Sequence, residues 1–292
     1  MQRQIWLGTV LLAASAVAYS TAGFFTRLIP VDAWTLLFWR GMFAGLFLLG
    51  VIAWKTRGEV GRAFAAIGRD GLLIALCSAV ATVCFLNGMR LSTVADVMVI
   101  DAAIPFLTAG IAWLLIGERE DKATLLATLA ALVGVGVMAG PAVAGGRLIG
   151  DLLALAMALL MSTVLVLIRR NKSVDMLPAV GLSAFLCAAI VAPFAHPLAV
   201  DPQQLGLLAL FGTSQFGMGL LLLALGTPLV SATRGALIGV LQAPLGTLWV
   251  WLAFAENPAT ATLIGGAIVL LAVVVDIALH ARATHAQAVG SL

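Results

Sequence analysis

Residues 97–118 read VMVIDAAIPFLTAGIAWLLIGE. Extended back to Val94, the run is long and apolar enough to cross a bilayer, which takes about 20 residues. Two residues in it sit badly with a plain spanning helix: ionisable Asp101, and Pro105 close to the middle. The pattern returns in the second half of the chain as Ser231–Glu256, with Pro244 near its middle. Pro105 precedes Glu118 by 13 residues, and Pro244 precedes Glu256 by 12. Of the ten prolines, only these two interrupt the middle of a spanning segment. A proline-interrupted helix at matching places in two halves points to the binding site of a transporter, so Pro105 and Pro244 are read as hinges. The competing reading is a pair of helices kinked for packing alone, since proline is tolerated in membrane helices.

Composition agrees with a membrane location for the whole chain. Of 292 residues, 62% are hydrophobic and 10% charged, against about 25% charged in a soluble domain, and mean hydropathy is +1.13. The formal net charge of +3 reads as membrane topology; nucleic acid is not an expected partner. Cys77, Cys84 and Cys187 all fall in apolar runs, which speaks against a disulfide framework. The apolar run after Arg3 could mimic a signal peptide, but it is read as the first retained span.

The expected architecture is all-α, with ten spans at approximately 5–26, 33–54, 71–91, 94–117, 122–140, 149–169, 176–195, 205–225, 231–255 and 259–280. Lys and Arg placement sets the orientation. With both ends inside, eleven basic residues (Arg3, Lys55, Arg57, Arg62, Arg69, Arg119, Lys122, Arg169, Arg170, Lys172 and Arg282) face the cytoplasm and three (Arg27, Arg90 and Arg147) the other side. Aligning Gly8 with Gly150 places Ser20-Thr21 on Ser162-Thr163 and Arg27 on Arg169 without a gap. Two repeats follow, 1–144 and 145–292. Five spans per half is an odd number, so the second repeat enters the membrane inverted, a common plan for secondary transporters.

Tyr19-Ser20-Thr21 with Arg27, Leu37-Phe38-Trp39-Arg40, Leu91-Ser92-Thr93-Val94-Ala95, Ile104-Pro105 to Gly117-Glu118-Arg119, Gly150-Asp151-Leu152, Ser231-Ala232-Thr233-Arg234, and Pro244 to Glu256 stand in an order and spacing that resembles the EamA-type members of the drug/metabolite transporter superfamily. The resemblance implies ten helices in two five-helix repeats and export of small metabolites, including amino acids, from bacteria. The second half departs from the pattern: its seventh span has no arginine to match Arg40, and Glu256 is followed by Asn257-Pro258.

Charges inside a membrane are costly and usually face the bundle interior. Asp101 and Arg40 lie at matching depth in the outer half, and the sequence predicts that they face each other across a central cavity. The pair is either purely structural or functional; in the functional version a substrate carboxylate competes for Arg40, while its ammonium, or a coupling proton, takes Asp101. Arg234 and Asp276, near the cytoplasmic boundary, read as a structural pair; Asp96 lies within reach of Arg90 or Arg27. On the ninth span Gly235, Gly239, Gln242, Gly246 and Trp249 share one face. Tyr19, Ser20, Ser78, Thr82, Ser162, Gln215, Gln242 and Trp249 complete a polar but nearly uncharged cavity lining. Such a lining suits a zwitterion or neutral solute.

Several classes lack their signatures. The chain has no phosphate-binding Gly-x-x-x-x-Gly-Lys, no His-Glu-x-x-His and no Gly-x-Ser-x-Gly. His196, His280 and His285 sit at span ends or beyond. No enzyme, catalytic residue, cofactor or metal is therefore expected. All three lysines lie in loops, unlike the phosphate-binding lysines of sugar-phosphate carriers, and residues 5–26 lack the glutamate of small multidrug exporters. The reading that remains is a multi-pass protein of the bacterial inner membrane with both termini cytoplasmic. It would export neutral or aromatic amino acids by alternating access, with a proton as candidate coupling ion. A multidrug or other metabolite exporter is the alternative.

Overall fold

The computed structural model describes residues 2–92, 94–139, 148–255 and 258–289. Glu256, Arg147 and the expected repeat boundary at 144/145 lie outside them. Ten helical segments among the described residues are long and apolar enough to span a membrane: Arg3–Leu28, Ala33–Lys55, Gly68–Leu91, Asp96–Ile116, Lys122–Ala139, Leu148–Arg170, Leu177–Phe194, Pro202–Leu229, Ala232–Phe254 and Thr260–His280. They are called spans 1 to 10. The even number puts the two ends of the bundle on one side, here the terminus face; the opposite side is the far face.

Packing follows the inverted repeat. Span 3 lies on span 6 and span 1 on span 8, a pair of contacts related by exchanging the halves; spans 2 and 7, and spans 5 and 10, pack on each other across the repeat axis. Spans 5 and 10 approach most closely at Gly134 and Gly265, where a methyl group on Gly134 would lie 2.8 Å from the Gly265 carbonyl oxygen. Small residues at such crossings let backbones meet, which is how helices associate where lipid removes the hydrophobic drive between them. One buried cluster joins spans 2, 6, 7 and 8 around Leu48, Ile168, Val180 and Leu220. A second joins spans 4, 5, 9 and 10 around Ala102, Ala131, Leu237 and Val269. Large side chains such as Leu114, Leu126, Ile149, Leu252 and Leu271 remain exposed on the outside, as a lipid-facing surface requires.

Spans 4 and 9 are each broken just before their proline. Span 4 divides into Val94–Asp101 and Ile104–Ile116, and span 9 into Ala232–Gly239 and Gln242–Phe254. Proline has no N–H to give the residue four positions earlier, which here is Asp101 or Val240. Both junctions tighten into bonds three residues apart, Ala103 N to Ile100 O at 3.1 Å and Leu241 N to Ile238 O at 3.1 Å. Two further irregularities were not expected. Span 1, read as one helix, breaks at Thr21. There Ser20 and Thr21 donate their hydroxyls to the carbonyls of Val17 and Ala18 at 2.6 and 2.7 Å, and such local bonds bend helices. Span 8 carries a π-helical segment, Phe211–Gly217. Its glycines let it press on span 2: a methyl on Gly212 would lie 2.9 Å from the Arg40 carbonyl oxygen.

Candidate functional site

Spans 1, 2, 4, 8 and 9 carry most of the expected polar residues, all but that of span 2 close to a break or a π-helical stretch. Arg40 of span 2 is the anchor. Its guanidinium lies over the Phe216 ring at 4.0 Å and near Phe211 at 5.7 Å, both on the π segment. Its Nε is buried without a hydrogen-bond partner, and Arg40 forms no ion pair among the described residues. Gln215, next to Phe216, donates to the Tyr19 backbone oxygen at 3.2 Å. The Tyr19 ring meets the Phe216 ring at 6.4 Å. From span 9, Trp249 Nε1 donates to Ser20 Oγ at 2.8 Å. Gln242 Nε2 donates to Asp101 Oδ2 at 3.3 Å, joining the two broken spans side chain to side chain at their junctions.

The expected Arg40–Asp101 pair is not formed. Equal depth on two helices does not make their side chains converge. Span 2 is held against spans 7 and 8 and turns Arg40 onto aromatic rings, while Asp101, at the end of its half-helix, meets Gln242 of span 9. Each charge is left with weak, neutral company. A cation over a ring gains about 0.5–2 kcal/mol, less than charge-assisted hydrogen bonds to a carboxylate would add.

Ser162 serves the break in span 4, donating to Ile104 O at 3.2 Å as well as to Ala158 O at 2.8 Å. Ser78 and Thr82 are not brought to this group. Thr82 donates to the Ser78 carbonyl at 3.0 Å within span 3, and that span packs on spans 6 and 7. Pro105 and Pro244 are both buried beside the junctions they create. Sequence reasoning missed Phe211 and Phe216. Their signal was the pair Gly212 and Gly217 flanking polar Thr213-Ser214-Gln215 in an otherwise apolar span, since small residues and π-bulges often mark a working segment.

The terminus face is tied more tightly. Arg169 of span 6 binds Glu118 at 3.1 Å and the Pro228 carbonyl at 2.5 Å. Glu118 also accepts from Ala232 N at the start of span 9 at 3.4 Å. The expected Arg234–Asp276 pair is present at 3.1 Å, with Arg234 6% and Asp276 0% exposed, and Thr124 Oγ1 donates to Asp276 at 2.8 Å. Just outside the spans, Asp121 and Glu120 behave oppositely. Burial raises both carboxyls, but the Thr124 backbone N–H and His280 hold Asp121 below the usual carboxylate range, while Glu120 stays above it. On the far face Arg90 lies 5.2 Å from the Trp34 ring, and Trp39 donates to the Pro197 carbonyl at 3.3 Å.

The sequence model of the EamA-like transporter family matches residues 6–140 and 148–276. A solved structure described only as "Crystal structure of protein" superposes with a TM-score of 0.77 at 19% identity, covering 94% of this chain and 98% of that one. At that identity the likeness speaks for the fold. No curated protein matches the chain.

Proposed function

The chain belongs to the EamA-like transporter family, and on that premise we propose that it exports neutral amino acids, aromatic ones above all, by alternating access from a central cavity. The observation that carries the proposal is Arg40: a guanidinium in the membrane with a buried, unpartnered Nε, lying over Phe216. A substrate carboxylate would supply the charge-assisted hydrogen bonds this group lacks. Phe211, Phe216, Tyr19 and Trp249 provide aromatic surface for an apolar side chain. Asp101, whose hydrogen-bond partner among the described residues is the Gln242 amide, is the acceptor for the substrate ammonium or for a proton. The nearly uncharged remainder disfavours polyanions. Pro105 and Pro244 act as the hinges. The protein works in the bacterial inner membrane with both termini cytoplasmic, as the distribution of Lys and Arg favours.

Reconstituted liposomes loaded with labelled phenylalanine, methionine or threonine test this. Label should leave faster than from protein-free vesicles, and Arg40→Gln should abolish the difference. Pro105→Ala and Pro244→Ala should fold and slow the flux. Efflux of cationic dyes with no efflux of any amino acid would replace this reading with the multidrug one.

A further inference from the structure

The inverted repeat sets the same two residues in two backbone states. Ser20-Thr21 of span 1 and Ser162-Thr163 of span 6 hold matching places in the two halves. Span 1 is broken there, into Gln2–Ser20 and Ala22–Leu28. Thr21 N turns to the carbonyl three residues back, Ala18 O, at 3.3 Å, and both hydroxyls donate at the same interval, to Val17 O and Ala18 O. Span 6 runs unbroken over Leu148–Arg170, and its two hydroxyls donate four residues back, to Ala158 O and Leu159 O, each at 2.8 Å. A hydroxyl at such a place can serve either carbonyl, so a Ser-Thr pair supports both the straight and the broken helix. We propose that the two pairs are alternating hinges: span 6 bends at Ser162-Thr163 as span 1 straightens at Ser20-Thr21, and the exchange opens the terminus face.

What lies beyond each hinge decides the face it controls. The piece of span 1 beyond its break leans on the far half of span 9. The Phe24 and Phe254 rings are 5.8 Å apart, and a methyl group on Gly23 would lie 3.4 Å from Val250 Cγ2. The matching piece of span 6, residues 164–170, is straight and packs on the terminus side, where Val166 is buried with Ala112 of span 4 and Ala232 of span 9. Its Arg169 binds Glu118, just past span 4, and the Pro228 carbonyl at the end of span 8. That tie spans both repeats. Each hinge serine also touches the broken span beside it, Ser20 through Trp249 of span 9 and Ser162 through Ile104 O of span 4.

Burial differs in the same sense. Leu237, Ile238 and Val240, ahead of Pro244 on the terminus side, are buried; Met98, Val99 and Asp101, at the matching places ahead of Pro105 on the far side, are half-buried. The straight hinge thus goes with the tighter face and the bent hinge with the looser one. Two similar halves that exchange states interconvert the two openings of a transporter. From Ser162 to the end of span 6 is a lever of about 12 Å, so a kink of about 20° moves its tip by about 4 Å and takes Arg169 away from Pro228. That the second state is visited rests on the alternating access put forward under Proposed function; which residues bend does not depend on the substrate named there.

The test uses the full-length protein in nanodiscs, with Cys77, Cys84 and Cys187 replaced by alanine and spin labels at exposed positions. Lys172 with Leu225 measures the terminus face, and Thr26 with Leu91 the far face. Arg169→Gln removes the tie. The terminus pair should then lengthen by about 4 Å in a fraction of molecules, and the far pair should change in the same fraction. Adding Ser162→Ala and Thr163→Ala, which favour the unbroken helix, should return the terminus pair to its starting distance. Adding Thr163→Ser alone keeps both hydroxyls and should leave the lengthening in place. A terminus pair that does not lengthen in Arg169→Gln, or lengthens equally with the two alanines, overturns the hinge in span 6. Lengthening with no change in the far pair overturns the alternation. Failure of the substrate reading would appear instead as absent amino-acid efflux while the two distances still exchange.

Discussion

Two groups of membrane charges in this protein live under opposite conditions. On the terminus face Arg234 and Asp276 are almost wholly buried, paired at 3.1 Å, and the carboxylate also accepts from Thr124. Away from that face Arg40 rests on a phenylalanine ring, and among the described residues Asp101 accepts from one neutral amide, at 3.3 Å. In the first group each charge already has its counter-charge in the protein; in the second neither has one among the described residues, and a visitor can supply it. Embedded charge alone therefore does not mark a binding site. The useful distinction is whether the protein already supplies the counter-charge.

The largest effect should come from breaking the filled group. Asp276→Ala leaves Arg234 buried and unpaired and should cost about 3–5 kcal/mol, seen as a large fall in the unfolding midpoint of detergent-purified protein. Replacing both partners by Met and Leu should be far milder, because no charge is then stranded. A mild Asp276→Ala would erase the contrast between the two groups.

Arg40→Gln should do the reverse. Stability should change by no more than the cation–ring contact, about 0.5–2 kcal/mol. Efflux should fall more than tenfold, since hydrogen bonds to a charged partner are worth about 1.5–3 kcal/mol. A large loss of stability with flux retained would move Arg40 into the structural group.

Lys55–Asp175 sharpens the scale from below. The contact is short, 2.6 Å, but the side chains are 47% and 44% exposed. Lys55→Met should therefore shift stability by about 0–1 kcal/mol. Smallest of all is the effect of Glu120. Its carboxyl titrates above the usual range in the fold, so its contribution is present below the ordinary carboxylate value and lost as pH rises through the folded one. Glu120→Gln should raise the thermal midpoint slightly at neutral pH and leave it unchanged in acid. Neighbouring Asp121, held low, has the opposite sign: its contribution is present at neutral pH and lost as pH falls through the folded value.

The sequence alone determined the parts of this protein that depend on local pattern. Ten runs of bilayer length, an odd number in each half, and two prolines at matching places fix the spans, the inversion of the second half and the breaks at Asp101–Ile104 and Gly239–Gln242. Each of these follows from hydropathy or from a missing N–H, and neither needs to know what lies alongside. The Arg234–Asp276 pair was legible for a related reason: two charges near the same face must be neutralised close by. The partner of Arg40 was not legible. Depth is a coordinate along one helix, whereas contact depends on how a helix is rotated and against which neighbour. Gly212 and Gly217 let the π segment close on span 2, which places Phe216 under the guanidinium. The Asp121–His280 contact was hidden likewise, because the two residues are 159 apart in sequence and meet only when spans 5 and 10 pack on each other. Only the folded chain fixes such contacts, because packing, not periodicity, chooses which side chains share a volume.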